Sequence, residues 1–210
     1  MRKFLLGIIA ACALFNANAE AMQWDGLYGG LQARYAWTKT DIDIPAYHQP
    51  PFEIDTEGAS YGAFIGARWR LDARWSAGVE IEATWYNERE RSPTGREGEL
   101  YILEHSWAAS ARALAAYDVN DETRIYAAAG IAFTEAAAAY APSARRADEE
   151  PLTGWTLALG LEHDYSDRLF SRAEVRYTAY EDGEFAHLTP SITESEETAV
   201  MIGFAWRFRP

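Results

Sequence analysis

Between Trp75 and Trp85 the chain alternates without a slip. The odd positions are Trp75, Ala77, Val79, Ile81, Ala83 and Trp85, and the even ones are Ser76, Gly78, Glu80, Glu82 and Thr84. A period of two belongs to a β-strand with one apolar face, because successive side chains point to opposite sides of the backbone. The pattern recurs. Tyr61–Leu71 sets Tyr61, Ala63, Ile65, Ala67, Trp69 and Leu71 against Arg68 and Arg70. Trp155–Tyr165 sets four apolar residues, His163 and Tyr165 against Thr156, Gly160, Glu162 and Asp164. Near the end, Ile202, Phe204, Trp206 and Phe208 alternate with Gly203, Ala205 and Arg207.

Eight such segments are predicted, at about 26–38, 58–71, 75–87, 100–117, 123–138, 154–165, 169–180 and 198–208. Two of them, around Glu104–Tyr117 and Tyr126–Ala141, are rich in alanine, and helix propensity alone would read them as helices. In the first, Trp107, Ala109, Ala111, Ala113 and Tyr117 still alternate with Glu104, Ser106, Ser110 and Arg112. In the second, Gly130, Phe133 and the neighbouring segments favour a strand.

The connections alternate in length. Short turns fall at Asp72-Ala73-Arg74, around Asn120-Asp121 and at Ser166-Asp167-Arg168, whereas 39–57, 88–99, 139–153 and 181–197 read as longer polar loops. Short turns at one end and long loops at the other are the pattern of an outer-membrane β-barrel. The expected fold is therefore all-β: an eight-stranded antiparallel transmembrane up-and-down barrel, with short periplasmic turns and four longer extracellular loops.

The first nineteen residues are consistent with export. Arg2 and Lys3 precede an apolar run from Phe4 to Phe15, and Ala17-Asn18-Ala19 forms a small-x-small cleavage site before Glu20. Residues 1–19 are read as a cleaved signal peptide, with Ala17 and Ala19 at the cleavage site, and 20–210 as the barrel domain. Ile9-Ala10-Ala11-Cys12 also has the form of a lipoprotein site, but cleavage there would leave an unusually short apolar core. No later stretch supplies the roughly 18 apolar residues of a spanning helix. Loss of Arg2 and Lys3 takes the formal charge from −13 to −15 and leaves Lys39 as the only lysine. An acidic chain without a basic patch argues against nucleic acid.

Alternation alone does not say which face points outward, since a soluble lipocalin-like barrel would bury its apolar face. Three features favour lipid. Aromatics cluster near the strand ends of the apolar face, at Trp37, Trp69, Trp75, Trp85, Trp155, Tyr165, Tyr177 and Trp206, where interfacial girdles sit. The polar face carries Arg34, Arg68, Arg70, Arg112, Arg172, Arg176 and Arg207 against Glu80, Glu82, Glu104, Glu162, Asp164 and Glu174. Such near balance suits charges that neutralise one another in a confined lumen. No arginine falls on the apolar faces of these segments, where one at the bilayer midplane would cost about 2–4 kcal/mol.

Two stretches carry a resemblance. "WDGLYGGLQARYAW" (Trp24 to Trp37) resembles the opening strand of the small outer-membrane β-barrel family, the opacity-type and porin-type surface proteins related to the OmpA transmembrane domain. "MIGFAWRF" (Met201 to Phe208) resembles the signal read by the barrel-assembly machinery, with Gly203, Trp206 and Phe208 at the expected spacing. Arg209-Pro210 after the closing aromatic, and Met201 where a polar residue is usual, depart from that pattern. The resemblance implies periplasmic chaperones and that machinery as assembly partners, lipid and lipopolysaccharide as surroundings, and roles in envelope integrity or surface interaction.

Eight strands enclose an interior only wide enough for side chains to fill. The charged set is thus expected to close a monomeric barrel with salt bridges; the competing reading is a narrow gated path for ions or small solutes. A lipid-modifying enzyme is the rival class, but His105 and Ser106 point to opposite faces, and His163 and Ser166 lie at a periplasmic turn. No catalytic set, cofactor or metal ligand set is expected; the four histidines, His48, His105, His163 and His187, are widely separated. The acidic, aromatic-bearing loops at 39–57 and 181–197 are candidates for a surface ligand.

Overall fold

The computed structural model describes residues 23–43, 52–86, 90–93, 100–141, 145–185 and 191–208. The proposed leader with Cys12, Ala17 and Ala19, and the loop histidines His48 and His187, lie outside them. Every element among the described residues is a strand: β1 (Gln23–Asp43), β2 (Phe52–Arg70), β3 (Trp75–Tyr86), β4 (Glu90–Pro93), β5 (Leu100–Asp118), β6 (Thr123–Ala141), β7 (Arg145–Asp164), β8 (Leu169–Phe185) and β9 (Ser191–Phe208).

Apart from β3 and β4, neighbours in sequence pair antiparallel; β1 also pairs β9 and β3 pairs β5, so the sheet closes into an eight-stranded barrel with β4 as a short additional piece against β5. Closure satisfies the backbone groups that hydrocarbon could not. This is why the alanine-rich segments become β5 and β6 rather than helices: each is paired on both sides.

All three short turns use one device. Leu71 N–H bonds Trp75 O, Val119 N–H bonds Thr123 O, and Tyr165 N–H bonds Leu169 O, at 2.8–2.9 Å. Inside each, one side-chain oxygen accepts two backbone amides. Asp72 takes those of Arg74 and Trp75, Asn120 those of Glu122 and Thr123, and Ser166 those of Arg168 and Leu169. Asx and Ser turns of this kind supply bonds that a chain reversal would otherwise leave to water.

The apolar face is outside. Leu31, Ile81, Leu159 and Ile202 are at least 63% exposed, while Phe170, Glu80 and Glu162 are fully enclosed. Trp75 and Trp85 on β3 pair with Tyr117 and Trp107 on β5, and Trp155 and Tyr165 bound the lower half of β7. Each of these three spans is ten residues. At about 3.3 Å per residue and a tilt of about 40°, ten residues rise about 25 Å along the barrel axis, the height of an outer-membrane apolar band. Trp37, Trp85, Trp155 and Tyr177 mark the upper rim, where Trp107 joins them. Trp69, Trp75, Tyr165 and Trp206 mark the lower one. All eight girdle residues read from the sequence are on the outer face, half-buried or exposed.

The long connections require correction. Much of 39–57, 139–153 and 181–197 is not loop but strand: β1 runs to Asp43, β2 starts at Phe52, β6 and β7 extend to Ala141 and Arg145, and β8 and β9 to Phe185 and Ser191. The barrel wall therefore rises above the upper girdle. There the outer face meets water rather than lipid, and the hydrophobic alternation that marks a strand in lipid fades.

Candidate functional site in the barrel lumen

The lumen is filled by side chains from the even-numbered positions of β1 to β3 and β5 to β8 and the odd-numbered positions of β9, and its charged members form connected groups. In the middle, Arg112 on β5 donates to Glu174 on β8 at 2.7 Å and to Glu80 on β3, with Glu82 at 3.4 Å. Arg176 forks onto Glu82 at 2.7 and 2.6 Å and reaches Glu174 at 2.7 Å. Arg172 donates to Glu80 at 2.7 Å and to the Gln32 carbonyl at 2.6 Å. Three arginines and three glutamates thus interlock across the barrel. Planar guanidinium forks suit such bidentate contacts.

Below this layer, Arg68 on β2 forks onto Glu162 on β7 at 2.7 and 2.8 Å. Arg124 joins Glu162 at 3.2 Å to Asp118 at 2.6 Å, and Asp118 receives Arg70 at 3.0 Å. At the periplasmic mouth, Arg207 pairs Asp164 at 2.6 Å, and a vestibule of ≈ 400 Å³ opens between Arg70, Asp118, Asp164 and Arg207. Above the central layer, Arg34 pairs Glu197 and donates to the Tyr86 hydroxyl at 3.2 Å.

Counted with Asp25, which lies 4.0 Å from Arg70, this ion-paired set holds eight arginines and eight carboxylates. The chain's −13 charge is therefore not in the lumen set. Neutrality matters because an uncompensated ion there would carry several kcal/mol of desolvation.

Aromatic residues complete the filling. Tyr28 donates to Glu80 at 3.1 Å and Tyr126 to Glu174 at 2.6 Å. Both rings lie on glycines of the paired strand: a Cβ at Gly66 would land in the Tyr28 ring, and one at Gly160 in the Tyr126 ring. The Arg172 guanidinium stacks 3.4 Å from the centre of Phe64, and that of Arg207 lies 4.6 Å from Phe170. Two apolar clusters, Leu114 with Tyr126 and neighbouring alanines, and Tyr28 with Phe64, Phe170 and Ala205, occupy space that the sequence assigned to polar groups alone.

Of the residues read from sequence as lumen charges, Arg34, Arg68, Glu80, Glu82, Arg112, Glu162, Arg172, Glu174 and Arg176 are buried in the lumen, and Arg70, Asp164 and Arg207 are half-buried at its mouth. Glu104 lies beyond a register shift in β5, among residues whose side chains are outside the described set. Sequence reasoning missed Arg124, which stands second in the segment predicted at 123–138, and Glu197, which is the last residue of the 181–197 stretch that reads as loop. Parity within each strand marks both: Arg124 shares the even, inward positions of β6 with Tyr126, and Glu197 the odd, inward positions of β9 with Met201. Met201 faces inward and its sulfur accepts from Gln32 at 3.5 Å.

Of the catalytic candidates read from sequence, the side chains of His105 and Ser106 lie outside the described residues. The Ser166 hydroxyl oxygen caps its turn, and His163 stands edge-on to Tyr165, 3.5 Å from the Thr123 hydroxyl.

A closed antiparallel barrel, apolar outside and charged within, defines an integral outer-membrane protein. The model of the family described as outer membrane protein beta-barrel domain matches residues 6–208. A 25 kDa outer-membrane immunogenic protein of Brucella ovis is 30% identical over 164 residues, covering 77% of this chain and 72% of its own. The protein of the same description from Brucella abortus is 27% identical over 193 residues, covering 90% and 82%. Among solved structures, the outer-membrane protein OprG of Pseudomonas aeruginosa superposes with a TM-score of 0.54 at 10% identity, covering 90% of this chain and 98% of its own. The chain belongs to the outer-membrane protein β-barrel domain family and resides in the outer membrane.

Proposed function

We propose that this barrel is a closed, non-catalytic monomer that serves the envelope as a structural and surface-interacting protein, exported by a leader cleaved after Ala19. The observation that carries the reading is Arg112. Its side chain has no solvent exposure and is held by Glu80, Glu82 and Glu174 from two other strands, with Arg172 and Arg176 bracing the same acids. A path through the centre would have to break several charge-assisted bonds together, each worth about 1.5–3 kcal/mol.

The test is conductance of the refolded mature chain in planar bilayers, with heat-modifiable gel migration confirming the fold. The expected result is silence from the native barrel. Reproducible steps whose size changes when Arg112 or Glu82 is neutralised would overturn the closed-lumen reading in favour of a gated path.

A further inference from the structure

The wall above the upper girdle has a seam. Within the membrane β2 pairs β1 on one side and β3 on the other, but its pairing with β3 ends at Ser60–Tyr86. From Phe52 to Ala59, β2 continues eight more residues, fully paired to β1 (Phe52 with Ile42 through Ala59 with Tyr35) and with no partner on its other side among the described residues. The nearest piece in chain order, β4, pairs β5 instead. Along such an edge every second residue directs its N–H and C=O to the open side, a template for one more strand.

The side chains on that edge state what would fit. Glu53, Asp55 and Glu57 occupy alternate positions of the outer face, and all three are exposed, Glu53 by 50% and Asp55 by 68% of the side chain. Lys39 on β1 contacts the first two from the paired side, at 3.4 and 3.8 Å; Glu57 has no cation within reach among the described residues. Carboxylates two residues apart along a strand repeat every 6.6–6.8 Å or so, the repeat of alternate side chains on any partner strand. A second copy of this chain, pairing the same edge with itself, would set these carboxylates against one another, which is unfavourable across a strand pair.

We propose that Phe52–Ala59 of β2 is a docking edge for an extended peptide bearing Lys or Arg at alternate positions, which adds to the wall as a strand. The proposal is independent of whether the lumen conducts, because the edge lies above the charged plug, and it gives the surface role a partner of stated chemistry.

The test uses the full mature chain refolded in nanodiscs and three synthetic ten-residue probes. One alternates Lys with Val, a second has the same composition in two blocks, and a third is the alternating peptide N-methylated at every second residue on the pairing side. Binding is read by fluorescence anisotropy, and folding of each variant by heat-modifiable migration. The alternating peptide is expected to bind at least tenfold tighter than the blocked one. N-methylation or the reversal Glu53→Lys/Asp55→Lys/Glu57→Lys should weaken it at least tenfold, while Glu122→Lys, at the opposite end of the barrel, leaves it unchanged. Equal affinity of the N-methylated or blocked probe would overturn strand addition, leaving charge attraction alone. Concentration-dependent chemical cross-linking of the unliganded barrel into dimers through this edge would overturn the choice of partner.

Discussion

Glu162 is the acid whose loss tests the charged lumen most directly. It is fully buried and holds two guanidiniums, Arg68 through a fork at 2.7 and 2.8 Å and Arg124 at 3.2 Å. The two are not equally dependent on it. Arg124 keeps Asp118 at 2.6 Å, whereas Glu162 is the acid that pairs Arg68, whose other neighbour is the Tyr28 ring 5.1 Å away. The near-isosteric Glu162→Gln therefore leaves one buried arginine without a counter-charge, and breaking a buried pair from one side costs about 3–5 kcal/mol. The converse change, Arg68→Gln, is expected to cost less, about 1–3 kcal/mol, because Glu162 retains Arg124 and loses chiefly hydrogen bonds. The double variant restores neutrality, so its cost should fall short of the sum of the singles by about 2–3 kcal/mol, the upper range for residues in one network. The measurement is reversible urea unfolding in lipid vesicles, followed by tryptophan fluorescence and heat-modifiable migration for all four proteins. Additive effects within 0.5 kcal/mol or so, the tolerance for independent sites, would refute the argument, as would a Glu162→Gln barrel as stable as the parent.

Three other outcomes are expected. Gly160→Ala pushes a methyl into the Tyr126 ring, and since the rigid ring must move off Glu174, the barrel should lose about 1–3 kcal/mol in the same unfolding assay. Ile202→Arg, 67% exposed and midway between Thr198 and Trp206 on the lipid face, should cost about 2–4 kcal/mol, while Trp206→Arg at the lower rim, apart from its lost aromatic burial, should add only about 0–1 kcal/mol for the charge. Asp72, in the periplasmic turn, accepts the Arg74 and Trp75 amides, which hold its carboxyl below the usual aspartate range. A depressed acid stabilises the fold above its unfolded value near 3.9 or so and loses that contribution as pH falls through the folded value. The stability gap between the native chain and Asp72→Ala, measured by urea midpoint, should therefore be constant from neutral pH to about pH 4 and close below it.

The two faces of the wall were legible in the sequence because a period of two is geometry: once Trp75, Val79 and Ile81 point to lipid, Glu80 and Glu82 point inward. The strand ends were not. Above Trp37 the wall leaves the bilayer, so Asp41, Glu53 and Glu196 on its outer face are as acceptable as Val200 and Leu159 are below, and the segment reads as loop. Glu197 was lost for that reason. The inward aromatics Tyr28, Phe64 and Phe170 were hidden for another: composition cannot separate them from girdle residues, and only their register with the polar positions of their own strands does.

What no local pattern could reveal is which charge meets which. Adjacent strands contribute some contacts, but the strongest forks join Arg68 to Glu162 and Arg176 to Glu82, each 94 residues apart, and Arg112 reaches Glu174 over 62. Those partners sit on β2 and β7, β3 and β8, and β5 and β8, which face each other only when the sheet has closed on itself. The pairing is thus a property of the barrel rather than of any hairpin, and until closure each of these ions must be hydrated. Closure and neutralisation are then one event. It follows that the lumen charges act on stability late in folding, so that Glu162→Gln should accelerate unfolding more than it slows insertion of the hairpins.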